Sequence, residues 1–196
     1  MQNGKLPAIL PAVTAFDLFE VLRKEWSTER KTIPWNGAWK DWTSWVKSYF
    51  YDKGEDLGFK SETKLSDRGE GEYIVDLCWW SKNYKQYWLE LILESEWGED
   101  WKSEVNQDFY KLIDLKAHFK VWVCSWTEKQ MDKRREKLCE YIAKAKFKLP
   151  EEEYLIINVP YSEEAGHEKC MEVHGIVINN LGISHTLPPF EVHAHL

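Results

Sequence analysis

Three acidic residues sit in runs that apolar strands would otherwise fill. Asp76 lies within YIVDLCWW, and Glu94 and Glu96 close the run YWLELILESEW. An unpartnered carboxylate between Ile74, Val75, Leu77 and Cys78 is costly to bury, so Asp76 calls for a cation or hydrogen-bond donors. Side chains alternate along a strand, so Glu94 and Glu96 share a face, with their backbones roughly 7 Å apart. Carboxylates this close repel one another unless a cation stands between them. A hard divalent ion, Mg2+ or Mn2+, suits that place, because it binds through one or two carboxylates and keeps waters and phosphate oxygens as its other ligands. Such an ion lowers the pKa of a water for attack on phosphorus and stabilises charge on the leaving oxygen, while a nearby lysine orients the nucleophile. The chemistry within reach of these residues is therefore metal-dependent phosphodiester hydrolysis. The plainer alternative has the acids lining a wet cleft or pairing with Lys82 or Lys85. Glu90 has the parity of Glu94 and reads as an ordinary exposed or paired acid.

Positioning these acids requires two neighbouring strands. Residues 73–80 and 87–97 read as antiparallel partners joined by a polar turn. The second is apolar on both faces at Leu89, Leu91, Ile92 and Leu93, as in a strand covered on both sides. Ahead of them, Thr14 caps a helix with apolar spacing at Phe16, Phe19, Leu22 and Trp26. A turn at residues 33–37 leads to a second helical stripe, Trp39, Trp42, Val46 and Tyr49, ending near Gly54. Its tryptophans are expected in the core rather than as a base-stacking platform. A weak alternation over residues 57–65 suggests a short strand. Beyond Glu96, the spacing of Val105, Phe109, Leu112, Ile113 and Phe119 predicts a helix, and residues 120–125 a buried strand. Such a crossover returns parallel and right-handed, which makes the sheet mixed. A basic helix over residues 128–147, strands at 154–159 and 172–178, and an irregular end complete the chain.

The order helix, strand, strand with Asp76, strand with Glu94 and Glu96, helix, strand resembles the PD-(D/E)xK nuclease superfamily, which includes restriction endonucleases. The resemblance spans roughly residues 57–125. That family carries an acid on the second core strand and, on the third, an acid followed two residues later by lysine or sometimes another acid. Asp76, Glu94 and Glu96 match these positions, with glutamate where lysine is commoner. In some members the lysine has moved to the following helix, which makes Lys111, in DFYKL, the candidate here. On a helical wheel Lys111 points away from the Phe109, Leu112 and Ile113 face, and Lys116 into it. The resemblance implies an α/β fold with a restriction endonuclease-like core, a central mixed β-sheet flanked by α-helices on both faces. It implies catalytic roles for Asp76, Glu94, Glu96 and Lys111, with Mg2+ or Mn2+ held by the three acids. Nucleic acid is the implied substrate, DNA more than RNA, and the reading admits a homodimer. One domain over residues 1–196 is expected, with the nuclease-like core at about 39–125, an N-terminal helix and a C-terminal helix–strand–strand extension. The alternative is an inactive member of the same fold that binds nucleic acid or a protein partner.

The wider composition narrows the field. With 196 residues, 43% of them hydrophobic, the chain can bury the core of one full-sized domain. A net charge of −7 disfavours a protein that coats nucleic acid non-specifically. Between Lys129 and Lys148, however, eight basic residues face three acids, a local +5 that leaves −12 elsewhere. Lys133, Arg134, Arg135 and Lys137 are the nucleic-acid-binding candidates in that stretch; a solvated helix face with pairs such as Asp132 and Arg135 is the competing account. Cys78, Cys124, Cys139 and Cys170 lack CxxC spacing and read as reduced core thiols. Neither a signal peptide nor a membrane span is recognisable, so a soluble, cytoplasmic protein is expected. His193 and His195 read as part of a solvated tail, and His118 and His174 as core or rim histidines. No GxSxG, GxGxxG or Walker-type loop is present.

Overall fold

Seven strands form one mixed sheet whose spatial order follows the chain: β1 (Phe59–Thr63), β2 (Leu77–Ser81), β3 (Leu89–Glu96), β4 (Phe119–Cys124), β5 (Glu153–Asn158), β6 (Cys170–Asn179) and β7 (Ser184–His193). The computed structural model describes residues 14–27, 39–63, 75–81, 89–97, 108–159 and 170–193. Strands β3, β4 and β5 are parallel, and antiparallel pairs flank them, β1 with β2 on one side and β6 with β7 on the other. The expected mixed sheet, with the two acid-bearing strands as antiparallel neighbours and a parallel return at Val121, is present.

Helices cover both faces, as two-sided apolar strands demand. Leu91, Leu93, Val121, Val123, Leu155 and Ile157 pack against α1 (Ala15–Trp26) and α2 (Trp39–Asp56). Ile92, Trp122, Tyr154, Ile156 and Ile178 face the two crossover helices, α3 (Tyr110–Asp114) and α4 (Glu128–Lys144). Thr14 caps α1 through a reciprocal capping box with Asp17, and Glu153 on β5 accepts the free Ala15 N–H at 2.9 Å, which docks the helix start on the sheet. Trp42 is buried and Trp45 half-buried within the aromatic core, not displayed for stacking. Among the described residues no helix is long and apolar enough to cross a membrane.

Two polar anchors fix the helices that flank the acids. On one face α2 lies close to β1 and β2. Trp79 Nε1 donates to Phe50 O at 2.9 Å and Ser61 Oγ to Tyr51 O at 2.8 Å, and Gly54 permits this approach because a Cβ there would lie 2.3 Å from Ser61 Oγ. On the other face Lys120 and Glu152, both with fully enclosed side chains, form an ion pair at 2.7 Å. Lys120 Nζ also reaches Tyr154 Oη at 3.2 Å and the Ile113 carbonyl of α3 at 3.5 Å, and the tyrosine hydroxyl donates to Glu152. Burial pushes the Lys120 ammonium down to about 8, against the pull of Glu152.

Four departures from the sequence expectation matter most. Strand β2 starts at Leu77, so Asp76 stands just ahead of it; residues 73 and 74 lie outside the described residues. The helix expected through Phe119 ends at Asp114 in α3, because Phe119 belongs to β4, and Val105 lies outside the described residues. Helix α4 ends at Lys144, and Lys148 caps it by donating to Ile142 O and Ala143 O at 3.0 and 3.1 Å. The end of the chain, expected to be irregular, forms the ten-residue strand β7, with Leu187, Phe190 and Val192 buried. Its residues Pro188 and Pro189 fall at a register shift on an edge strand, where a missing N–H costs no ladder bond.

Replacing Lys120 by methionine strands the Glu152 carboxylate in the core. The variant is expected to lose roughly 3–5 kcal/mol in chemical denaturation, and adding Glu152→Leu should recover most of that loss.

Candidate metal centre

The parallel strands β3, β4 and β5 end at Glu96, Cys124 and Asn158, and this end of an open sheet is where crossover folds place their ligands. Glu94 and Glu96 project from β3 towards α3. Residues 108–109 are π-helical where they lead into α3, and Asp108 comes to the same place. One carboxylate oxygen from each of Glu94, Glu96 and Asp108 lies within 4.8 Å of the other two. Ligand oxygens on Mg2+ at 2.0–2.1 Å stand roughly 3–4 Å apart, so only a small contraction separates this trio from a binding geometry.

Glu94 is the buried member, 3% exposed, beside the enclosed ring of Trp122, its register partner on β4. Lys111 Nζ lies 3.3 Å from Glu94 Oε1 and 2.5 Å from Asp108 Oδ1. The contact to Glu94 lacks hydrogen-bond alignment, so Oε1 is a buried oxygen with a cation beside it and no aligned donor. Burial is the main reason that the Glu94 carboxyl is pushed up to about 8; the charges of Asp76 and Asp108 raise it further, and Lys111 opposes them. Asp108 and Glu94 hold the Lys111 ammonium above its ordinary range despite partial burial.

Asp76 is near enough to act on Glu94 electrostatically, but its oxygens are engaged elsewhere. Oδ2 accepts the Ser95 N–H at 3.0 Å and the Ser95 hydroxyl at 2.8 Å, and Oδ1 pairs with Lys47 of α2 at 2.7 Å. The structure thus brings Glu94, Glu96 and Lys111 together as expected residues and adds Asp108, while Asp76 is bonded to Ser95 and Lys47 beside them. Asp108 and Lys47 went unrecognised from sequence. The signal for Asp108 was its helical i, i+3 spacing from Lys111; Lys47, next to the apolar stripe of α2, carried none. Lys82 and Lys85, the partners considered for these acids, lie outside the described residues. Glu90 is paired: it is 4% exposed and bonded to His118 Nδ1 at 2.9 Å, an interaction that raises the pKa of the imidazole. Lys116 is exposed rather than inside the α3 face and donates to Phe147 O, because the helix stops before it.

The basic stretch on α4 separates into different environments. Arg134 is 6% exposed and its guanidinium lies 5.6 Å from the Trp126 ring centroid, so it belongs to the core and not to a nucleic-acid-facing surface. Arg135 pairs with Asp132 at 3.0 Å and bonds Thr186 at 3.2 Å, and Lys137 pairs with Glu140 at 3.0 Å. Lys133 is exposed. Cys78 and Cys124 are buried thiols, and burial pushes the Cys78 thiol up to about 11, which leaves it inert. His193 ends β7 and is thus not part of a free tail, while His195 lies outside the described residues.

Compared with known proteins, the chain matches no family model and no curated protein sequence.

The Glu94 environment has a signature in pH. A carboxyl near 8 in the folded state and near 4.5 when unfolded holds its proton longer in the native protein. Its contribution to stability is full below pH 4.5, declines from there, and is gone above about pH 8. Metal-free wild type should therefore lose thermal stability between pH 5 and pH 8, and Glu94→Gln should lose less over the same range, as read by melting curves in a chelator.

Proposed function

We propose that this protein is a divalent-metal-dependent phosphodiesterase of the restriction endonuclease-like kind, acting on nucleic acid, with DNA ahead of RNA. The observation that carries the reading is the convergence of one carboxylate oxygen each from Glu94, Glu96 and Asp108 within 4.8 Å of one another, with Glu94 buried and its Oε1 lacking an aligned donor. The element order around them, α2, β1, β2, β3, α3, β4, agrees with the nuclease core that the sequence resembles. Mg2+ or Mn2+ fits this all-oxygen donor set and, when bound, would supply an acidified water and charge stabilisation at phosphorus.

The remaining roles fall to the chain. Glu94, deprotonated on binding, gives up the proton that burial lets it keep in the metal-free state. Lys111, 34% exposed, can swing from Glu94 and Asp108 to a phosphate oxygen or an attacking water. Trp122 closes one wall of the site against solvent and strengthens each charge interaction inside it. Lys133, Arg135 and Lys137 lie on the crossover helix that starts at the same end of the sheet and offer contacts to phosphate. A second reading keeps the fold without catalysis, and Glu96 at the position where the family more often has lysine favours it. In that reading the domain binds nucleic acid or a protein partner.

Titrating Mg2+ and Mn2+ tests the proposal. At a metal concentration a hundred times Kd, about 2.7 kcal/mol is added to the native state. For a domain of this size that raises the melting temperature by roughly 5–10 °C, more at neutral than at acid pH. Glu94→Ala should abolish both this shift and metal-dependent cleavage of plasmid and oligonucleotide substrates. A shift without cleavage supports the second reading, and no shift in the wild type removes the metal centre altogether.

A further inference from the structure

We infer that Asp76 is a positioning residue of this metal centre and not one of its ligands. The inference rests on the metal reading above and departs from what the family resemblance implies for this position. Main-chain pairing between β2 and β3 runs only as far as Leu77 opposite Leu93. One residue beyond, where β2 has ended, the Asp76 side chain takes over as partner for β3, with Oδ2 accepting both the backbone N–H and the hydroxyl of Ser95. Ser95 stands between Glu94 and Glu96. Alternation along the strand points its side chain to the α2 face while the two glutamates point to the α3 face. Asp76 therefore grips the strand from behind, at the one residue that separates the two carboxylates.

Lys47 completes the grip. Its ammonium, 2.7 Å from Asp76 Oδ1 and only 18% exposed, comes from α2, and α2 is itself tied to the sheet through Trp79, Ser61 and Gly54. Both Asp76 oxygens are thus committed to donors that a metal ligand would have to surrender. Glu94 shows the contrary arrangement: its Oε1 is buried with no aligned donor, and one of its carboxylate oxygens joins the cluster. The third carboxylate is instead that of Asp108, on the turn that leads into α3.

Mn2+ provides the test, since bound waters on Mn2+ are counted by water-proton relaxation and a lost protein ligand is replaced by water. Asp76→Asn keeps an acceptor for Ser95, loses the charge that Lys47 pairs with, and is a poor replacement for a carboxylate ligand. It should bind one Mn2+ per chain with affinity lowered roughly tenfold, as for residues that orient a ligand, and with relaxation per bound ion unchanged. Ser95→Ala should weaken binding in the same direction, again without added water, and combining it with Asp76→Asn should cost less than the sum of the two effects. Asp108→Asn, the ligand control, should add water at the metal or lose binding. Higher relaxation in Asp76→Asn, loss of binding to the extent seen in Glu94→Ala, or no change in affinity would each overturn the assignment. Should Asp76→Asn fail to fold, Ser95→Ala decides alone, and unchanged affinity in that variant overturns it. A wild-type protein that binds no Mn2+ removes the metal reading together with this one, whereas the other negative outcomes leave that reading standing.

Discussion

The arrangement at the end of β3 depends on one costly fact: the Glu94 carboxylate is buried among other acids. Two-sided packing of a parallel strand leaves no solvent beside it, and Asp76 and Asp108 add like charge. Cations arrive from both faces, Lys111 from α3 and Lys47 from α2. Each helix is in turn held by polar bonds of its own. Lys120 reaches the Ile113 carbonyl of α3 from within its enclosed pair with Glu152, and the main chain of α2 accepts from Trp79 and Ser61. Polar groups deep in the core thus serve the placement of two lysines, and the two lysines limit the repulsion among the acids.

Contrasting two of the buried charges, Lys120 and Glu94, explains why only the second reads as a candidate site. Lys120 is fully enclosed, and its ammonium meets a carboxylate, a hydroxyl and a carbonyl, so its needs are met and nothing from solvent can approach it. Glu94 keeps an oxygen without an aligned donor, beside a half-exposed lysine and the partly exposed Glu96 and Asp108. A buried charge with incomplete partners and a route to solvent is a place where a ligand can complete the shell; a satisfied one is a structural anchor.

Much of the architecture was readable from residue periodicity. A run apolar on both faces marked β3, a second buried run marked β4, and the strand–helix–strand pattern fixed the parallel return between them. Glu94 and Glu96 followed from strand alternation, which depends on nothing beyond the strand itself. Asp108 did not, because its approach depends on a π-type turn and on how far α3 leans over the sheet, both tertiary outcomes. Asp76 was legible as an acid needing a partner, yet which partner depended on where β2 stops. Arg134 shows the limit of counting charge, since the side chain that contributes to a basic run lies against Trp126 instead of facing solvent. The strand at the end of the chain was hidden by two prolines, which are read as strand breakers unless the strand is already known to be an edge.

Those prolines also bear on how copies of this molecule meet in a crowded solution. Strand β7 is the outer strand of a seven-stranded sheet, and such a rim offers a template on which other chains can add. Pro188 and Pro189, both exposed, have no amide donor to offer and coincide with a shift of register on that strand. The opposite rim, β1, is only five residues long and carries Lys60 and Glu62. Both borders of the sheet are therefore poor templates. A protein with 12 tryptophans, which would be prone to aggregate through an open sheet, is protected at the two places where growth would start.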